Sequence, residues 1–265
     1  TCAGGANAVP RLDSTRYTVL FAAAVSIVCA LLVATAAVAL RDRQEANALL
    51  YKQKNVLLVA GLLRPGESAS REEVLAIFER RIRVRAVELK SGRLVPEDQF
   101  DASGYDQRKA RNDPALSRAA PANDAQVARL PLRGTVYQVL GPDSQVEQLV
   151  LPVEGMGMWG TVYGFLAMHR DANTVRGLTF YEQKETPGLG GEIANPKWQA
   201  LWVGRKAYDA NWTPQLAVIK GQAGPPDKAP HQVDGLSGAT ITSNGITRVV
   251  RYWLADDGYG PFLKC

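Results

Sequence analysis

The chain has 265 residues, with 31 Lys and Arg against 26 Asp and Glu and a net charge of +5. The basic residues are interspersed with acids rather than gathered into a stripe, which removes the electrostatic footprint expected of a nucleic-acid partner. Three cysteines far apart (Cys2, Cys29, Cys265) and two histidines (His169, His231) supply neither a disulfide framework nor ligands at metal-site spacing.

In chain order, the first element is apolar. No charged residue occurs from Tyr17 to Leu40, and the run is bracketed by Arg16 and by Arg41-Asp42-Arg43. A helix crossing a bilayer needs about 20 such residues, whereas a cleaved signal peptide has an apolar region of about 7–15 and a small-residue cleavage site. The pattern therefore predicts an N-terminal tail over 1–16 and an uncleaved transmembrane helix over 17–40. Ala46, Leu49, Leu50, Gln53, Leu57 and Ala60 continue at helical spacing. They predict a helical stalk over 41–64, stopped by Arg64-Pro65-Gly66, with a single domain over 65–265.

Within that domain, Ser70-Arg71-Glu72-Glu73 fits a capping box ahead of Val74, Ile77 and Phe78, so a second helix is expected. From Asp101 to Ala128 the chain is rich in Ala, Asp, Asn, Arg and Pro with weak periodicity, and reads as a mobile surface excursion. Strand-length β-branched or aromatic runs follow at Gly134–Leu140, Gln145–Pro152, Tyr163–His169, Val175–Tyr181 and Leu216–Lys220. Some alternate cleanly, and others are too apolar for their period to be decided. Ile246, Val249, Val250, Trp253 and Leu254 lie at i, i+3, i+4, i+7 and i+8, an amphipathic helix. The order predicts an α+β fold: one antiparallel sheet with flanking helices.

Two segments carry chemistry. Asp234-Gly235-Leu236-Ser237-Gly238-Ala239-Thr240-Ile241-Thr242-Ser243 immediately precedes the last long helix. Small residues there would leave backbone N–H groups and the Thr240 hydroxyl at a helix N-terminus, where unpaired donors and the dipole favour an anion such as a phosphate. The plainer account of the same run is a glycine turn followed by an ordinary Ser/Thr cap. The second segment is Glu185-Thr186-Pro187-Gly188-Leu189-Gly190-Gly191-Glu192, in which Pro-Gly signals a type II turn and the glycines let backbone approach something flat. A tight hairpin would need the same residues.

Trp198, Trp202 and Trp253 read as packing residues, and only Trp159, in Gly155-Met156-Gly157-Met158-Trp159-Gly160, has a loop-like glycine setting. No Gly-x-Gly-x-x-Gly or phosphate-binding P-loop pattern occurs, so neither a Rossmann site nor a nucleotide triphosphatase is indicated.

The sequence resembles the C subunit of the sodium-translocating NADH:quinone oxidoreductase over nearly its whole length. The resemblance runs from Arg41-Asp42-Arg43-Gln44-Glu45-Ala46-Asn47, through Met158-Trp159-Gly160, Tyr163-Gly164-Phe165 and Glu185-Thr186-Pro187-Gly188-Leu189-Gly190. It continues through Asp234–Ser243 to Gly258-Tyr259-Gly260-Pro261-Phe262-Leu263. Lys184 departs from the glycine expected before the Glu-Thr-Pro-Gly-Leu-Gly run, and 101–128 matches least well.

The resemblance implies a covalent FMN. The family motif Asp-x-x-Ser/Thr-Gly-Ala-Thr is matched at Asp234, Ser237, Gly238, Ala239 and Thr240, which makes Thr240 the residue to which an extracytoplasmic flavin transferase joins the FMN phosphate. Further cofactor contacts are implied at Gly235, Leu236, Thr242, Glu185, Thr186, Gly188, Leu189 and Gly190, with no catalytic residue and no metal. The implied role is relay of electrons from an iron–sulfur centre in neighbouring membrane subunits to the flavin of the B subunit, within a sodium-pumping respiratory complex of the bacterial inner membrane.

Charge and resemblance disagree on topology. Arg11 and Arg16, offset by Asp13, precede the anchor, whereas Arg41, Arg43, Lys52 and Lys54 follow it, which leans weakly toward a cytoplasmic domain. The family places the domain on the periplasmic side, and long domains translocate largely regardless of such charges. The G subunit of the Rnf electron-transport complex shares the anchor and the threonine-linked FMN domain; the Arg-Asp-Arg-Gln-Glu-Ala-Asn and Glu-Thr-Pro-Gly-Leu-Gly-Gly-Glu runs favour the sodium pump. A redox-inactive anchored module would use Ser237–Thr240 only as a helix cap.

Overall fold

The computed structural model describes residues 14–264. Most of the expected tail, together with Cys2 and Cys265, lies outside them. Helix α1 runs over Thr15–Val59. Its membrane-length apolar window is 0% buried by the rest of the chain, and Leu20, Phe21, Ile27, Leu31, Leu32 and Val33 all stand exposed. A run of large apolar side chains that the rest of the described chain leaves uncovered suits a bilayer, where a helix satisfies its own backbone groups.

A compact unit begins at Leu50, so the last turns of α1 belong to it: Val56, Leu57 and Val59 are buried in its core, with Ala60 just after them. The helix ends short of the Arg64-Pro65-Gly66 stop. Gly61 adopts φ +72°, Gly61 N–H bonds to Leu58 O, and Leu62 N–H bonds to Leu57 O. That pair of hydrogen bonds around a left-handed glycine is a Schellman termination.

Helix α2 (Arg71–Arg81) has the expected capping box, with Ser70 and Glu73 bonding each other's backbone N–H. It runs without a turn into strand β1 (Ile82–Glu88). Helix α3 (Gln107–Asn112) and the short ribbon of β2 (Ser117–Ala119) and β3 (Arg129–Pro131) come next. Strands β4 (Arg133–Leu140), β5 (Val146–Met156), β6 (Thr161–His169) and β7 (Val175–Glu182) then complete an antiparallel five-stranded sheet, in the order β1-β4-β5-β6-β7.

Both faces of the sheet are buried. Val136, Leu151, Val153, Val162, Leu166, Met168, Leu178 and Phe180 face one core, while Tyr137, Val139, Val150, Phe165 and Ala167 face the other, with the end of α1 and Val74 of α2. Two-sided burial removes the polar half of the alternation, which is why the period of the most apolar of these strands is illegible in sequence.

The segment expected to be a mobile excursion, 101–128, instead folds back on the sheet. Gln107 is buried, its Oε1 accepting from Thr135 N–H and Tyr259 O–H, and Ala110 and Ala125 are buried as well.

After β7 come a 3-10 turn (Gly190–Ala194) and helix α4 (Pro196–Ala200). Two-residue strands β8 (Ala217–Val218) and β9 (Gln232–Val233) pair in parallel, so the strand expected over Leu216–Lys220 is shorter than its apolar run. Helix α5 (Thr240–Leu254) buries Ile246, Val249, Val250, Trp253 and Leu254, as its periodicity requires, and packs on β5. A final turn, α6 (Gly260–Leu263), closes the domain.

Candidate functional site

The site forms where α5 begins. Thr240 is the first residue of this 15-residue helix, and Ala239 before it offers no side-chain cap. The N–H groups of Thr240, Ile241 and Thr242 have no acceptor among the described residues; the first bonded amide is that of Ser243, to Ala239 O. A helix N-terminus with three idle donors carries a positive partial charge and is suited to an anion.

The two neighbouring threonines differ completely in setting. The Thr240 residue is exposed, whereas Thr242 is 0% exposed and its hydroxyl donates to Glu185 Oε2 at 2.5 Å. Of the two, only Thr240 stands where an outside reagent can reach it.

The rest of the motif builds the wall beside Thr240. Pairing of β8 with β9 lays 218–222 against 233–236: Ile219 N–H bonds to Val233 O and Gly235 N–H to Gly221 O. The Asp234 carboxylate accepts from Ala223 N–H at 2.9 Å, and its carbonyl accepts from Trp198 Nε1 at 2.9 Å. Leu236 N–H donates to Ser243 Oγ, which ties the turn to α5. Gly238 turns the chain with φ +71°.

A cleft of about 530 Å³ results, lined by Lys220, Gly221, Gln222, Asp234, Gly235, Leu236, Ser237, Gly238, Thr240 and Asn244 among others. That volume lies in the range of about 300–1,000 Å³ usual for small-molecule sites. Lys220, Gly221, Gln222 and Asn244 escape the sequence reading. Gly221 and its neighbours lie in a Gly- and Pro-containing loop, which the β8–β9 pairing and the bond from Val218 N–H to Thr247 Oγ1 of α5 bring to Thr240.

The second expected segment arrives from β7. Thr186-Pro187-Gly188-Leu189 forms a type II turn, with Gly188 at φ +74° and Leu189 N–H bonded to Thr186 O. Thr186, Gly188 and Leu189 are exposed, while Gly190 is buried. Glu185 is buried too, and its carboxylate is taken up by Met158 N–H, Trp159 N–H and the Thr242 hydroxyl. Glu185 and Thr242 thus lie behind the cleft wall, engaged with each other.

Around these bonds stand four exposed apolar side chains: Trp159 (63%), Ile241 (59%), Met158 (44%) and Leu189 (43%). Trp198, Trp202 and Trp253 are buried. Apolar side chains gathered beside a helix N-terminus match a ligand with an anionic group and a flat aromatic body.

At the same end of the sheet, Glu154, Tyr163 and Glu182 are cross-strand neighbours on β5, β6 and β7, and α3 covers them with two arginines. The Arg108 guanidinium lies 3.8 Å from the Tyr163 ring centre and grips both oxygens of Glu182, and this hydrogen bonding holds the Glu182 carboxyl below its usual range. Arg111 pairs with Glu154 at 2.6 Å. Burial nevertheless pushes the Glu154 carboxyl up, against the pull of Arg111. His231 Nδ1 lies 2.7 Å from Lys206 O, and no cluster of metal-ligating residues occurs among the described residues.

The fold and site define a membrane-anchored FMN-binding protein, since residues 157–255 match the FMN-binding domain family. The C subunit of the Na(+)-translocating NADH-quinone reductase of Pseudomonas aeruginosa is 48% identical over 95% of this chain and 95% of its own length. Its counterpart in Vibrio anguillarum is 46% identical over 95% and 94%. The chain belongs to that C-subunit family, and so to an oxidoreductase complex. In structure it is similar to Shewanella oneidensis NqrC, with a TM-score of 0.72 at 27% identity over 80% of this chain and 94% of that one. The corresponding protein from Parabacteroides distasonis gives 0.66 at 26% identity, over 85% and 98%.

Proposed function

We propose that this chain carries FMN as a phosphoester on Thr240 and passes electrons from a membrane iron–sulfur centre to the flavin of the B subunit. The observation that carries this reading is the start of α5, where an exposed threonine hydroxyl adjoins three backbone donors with no acceptor. A phosphodiester retains one negative charge, which those donors and the helix dipole stabilise. Bound FMN would supply the electron-accepting and electron-donating chemistry, and the protein binding and orientation. Trp159, Met158, Leu189 and Ile241 would shelter the ring, while Ser237 and Gly238 leave Thr240 accessible to a flavin transferase.

The attachment moves the Thr240 oxygen onto the flavin-side phosphorus of FAD, with AMP leaving and the hydroxyl proton lost. Mass spectrometry of the peptide containing Thr240, from protein produced with its transferase, is expected to show the mass of FMN less one water. An unmodified peptide from coloured native protein would rule the linkage out.

We also place the domain on the periplasmic side of the inner membrane, where the transferase works. A reporter at the C-terminus active only in the periplasm is expected to be active. A cytoplasmic signal would reverse the orientation.

A further inference from the structure

We propose that Glu185 is the positioning residue of the flavin seat, fixing the Trp159 and Leu189 walls without touching the cofactor; the inference rests on the Thr240 reading above. Glu185 is 4% exposed, and its carboxylate has no ion-pair partner among the described residues. The charge is satisfied by three donors from two segments: Met158 N–H at 2.9 Å and Trp159 N–H at 3.0 Å on Oε1, and the Thr242 hydroxyl on Oε2.

A carboxylate buried without a cation is costly unless its oxygens are hydrogen-bonded, so the arrangement persists only while those segments stay closed around it. Two glycines pack directly against it. A Cβ at Gly157 would fall 2.5 Å from Glu185 Oε1, and one at Gly190 would fall 2.6 Å from Oε2 and 2.5 Å from Thr242 Oγ1.

Each group bonded to or packed against the carboxylate adjoins a member of the apolar rim. The amides on Oε1 belong to Met158 and Trp159 themselves. Thr242 follows Ile241, and Gly190 follows Leu189, whose Cδ2 would lie 2.9 Å from a Cβ on Gly238. One side chain therefore ties the β5–β6 turn, the turn after β7 and the first turn of α5 into a single surface beside Thr240. The β5–β6 turn has only one backbone bond of its own at its tip, Gly157 N–H to Gly160 O; without Glu185 its two tip amides would point at nothing.

The test uses the full-length chain matured with flavin transferase, after mass spectrometry has established the Thr240 linkage in each variant. If the wild-type peptide is unmodified, the linkage reading fails and the positioning role falls with it. With the linkage present, an indole held against the flavin quenches its fluorescence by electron transfer. Glu185→Ala is then expected to raise the emission per linked flavin several-fold, Trp159→Phe by the same factor, and the double variant no further. Glu185→Gln, whose carbonyl can still accept from both amides, is expected to stay near the wild-type yield. A folded, fully linked E185A protein with wild-type emission, or additive rises in the double variant, would overturn the proposal. Should E185A fail to fold, Glu185→Asp withdraws the carboxylate by one methylene and is expected to show the same rise, an unchanged yield again counting against the role.

Discussion

Thr240→Ala is expected to abolish covalent flavin while leaving the domain folded. Linked FMN survives denaturing electrophoresis, so the protein band should fluoresce in the wild type and fall to background in the variant. The two outcomes separate because Thr240 is exposed and, among the described residues, has no side-chain hydrogen-bond partner; surface substitutions of this kind change stability by about 0.5 kcal/mol or less, and alanine is a good helix residue. Thr242→Val supplies the reverse. It leaves the Glu185 oxygen without its buried donor, at a cost of about 1–3 kcal/mol, yet should keep the fluorescent band. A T240A band that still fluoresces would assign the flavin to another residue.

Arg111→Ala is expected to destabilise the domain by about 3 kcal/mol at pH 7, the scale seen when one partner of a buried ion pair is removed. The pair is well enclosed, with side-chain exposures of 19% for Arg111 and 9% for Glu154, and the Glu154 carbonyl also accepts from Trp253 Nε1 at 2.6 Å. Burial already holds the Glu154 carboxyl above its ordinary value, and Arg111 is the largest influence opposing that rise.

The sign of the pH dependence follows. A carboxyl whose folded pKa exceeds its unfolded value, about 4.3 for glutamate, binds its proton more tightly when folded. Its contribution to stability therefore falls as pH rises from the unfolded toward the folded value. Loss of Arg111 raises the folded value further, so the variant should recover part of its deficit as pH is lowered from 7 to about 5 and Glu154 takes up a proton. Urea midpoints of the solubilised chain at the two pH values check this; a deficit that stays constant would mean that lost packing dominates. Replacing both partners with apolar residues should cost much less than replacing Arg111 alone.

How much of this was legible in sequence depended on whether the signal was local. The Ser70–Glu73 capping box, the Pro187-Gly188 turn and the amphipathic stripe of α5 each arise from neighbours within about one helical turn, and all three appear in the structure. The apolar run at 17–40 is likewise a local property, because its length and hydropathy are read from contiguous residues. Strand β1 was missed because Arg83, Arg85 and Glu88 give it a charged look and no turn residue separates it from α2. The order within 101–128 was missed because Gln107 is buried by partners at Thr135 and Tyr259, far along the chain. The stop expected at Arg64-Pro65-Gly66 is preceded by one at Gly61, where a left-handed backbone lets the following turn close on the helix.

The sequence by itself determined the membrane anchor, the α+β class and the hydroxyl-bearing turn before the last helix, since each is written in contiguous residues whose hydropathy or backbone preference acts locally. Only the tertiary structure decided which hydroxyl is reachable, which carboxylate is consumed in holding the walls, and which loop closes the cleft. Thr240 and Thr242 are chemically alike and two residues apart, and what distinguishes them is burial against Glu185, more than fifty residues earlier in the chain. Burial is a property of packed elements, and no short window of sequence contains it.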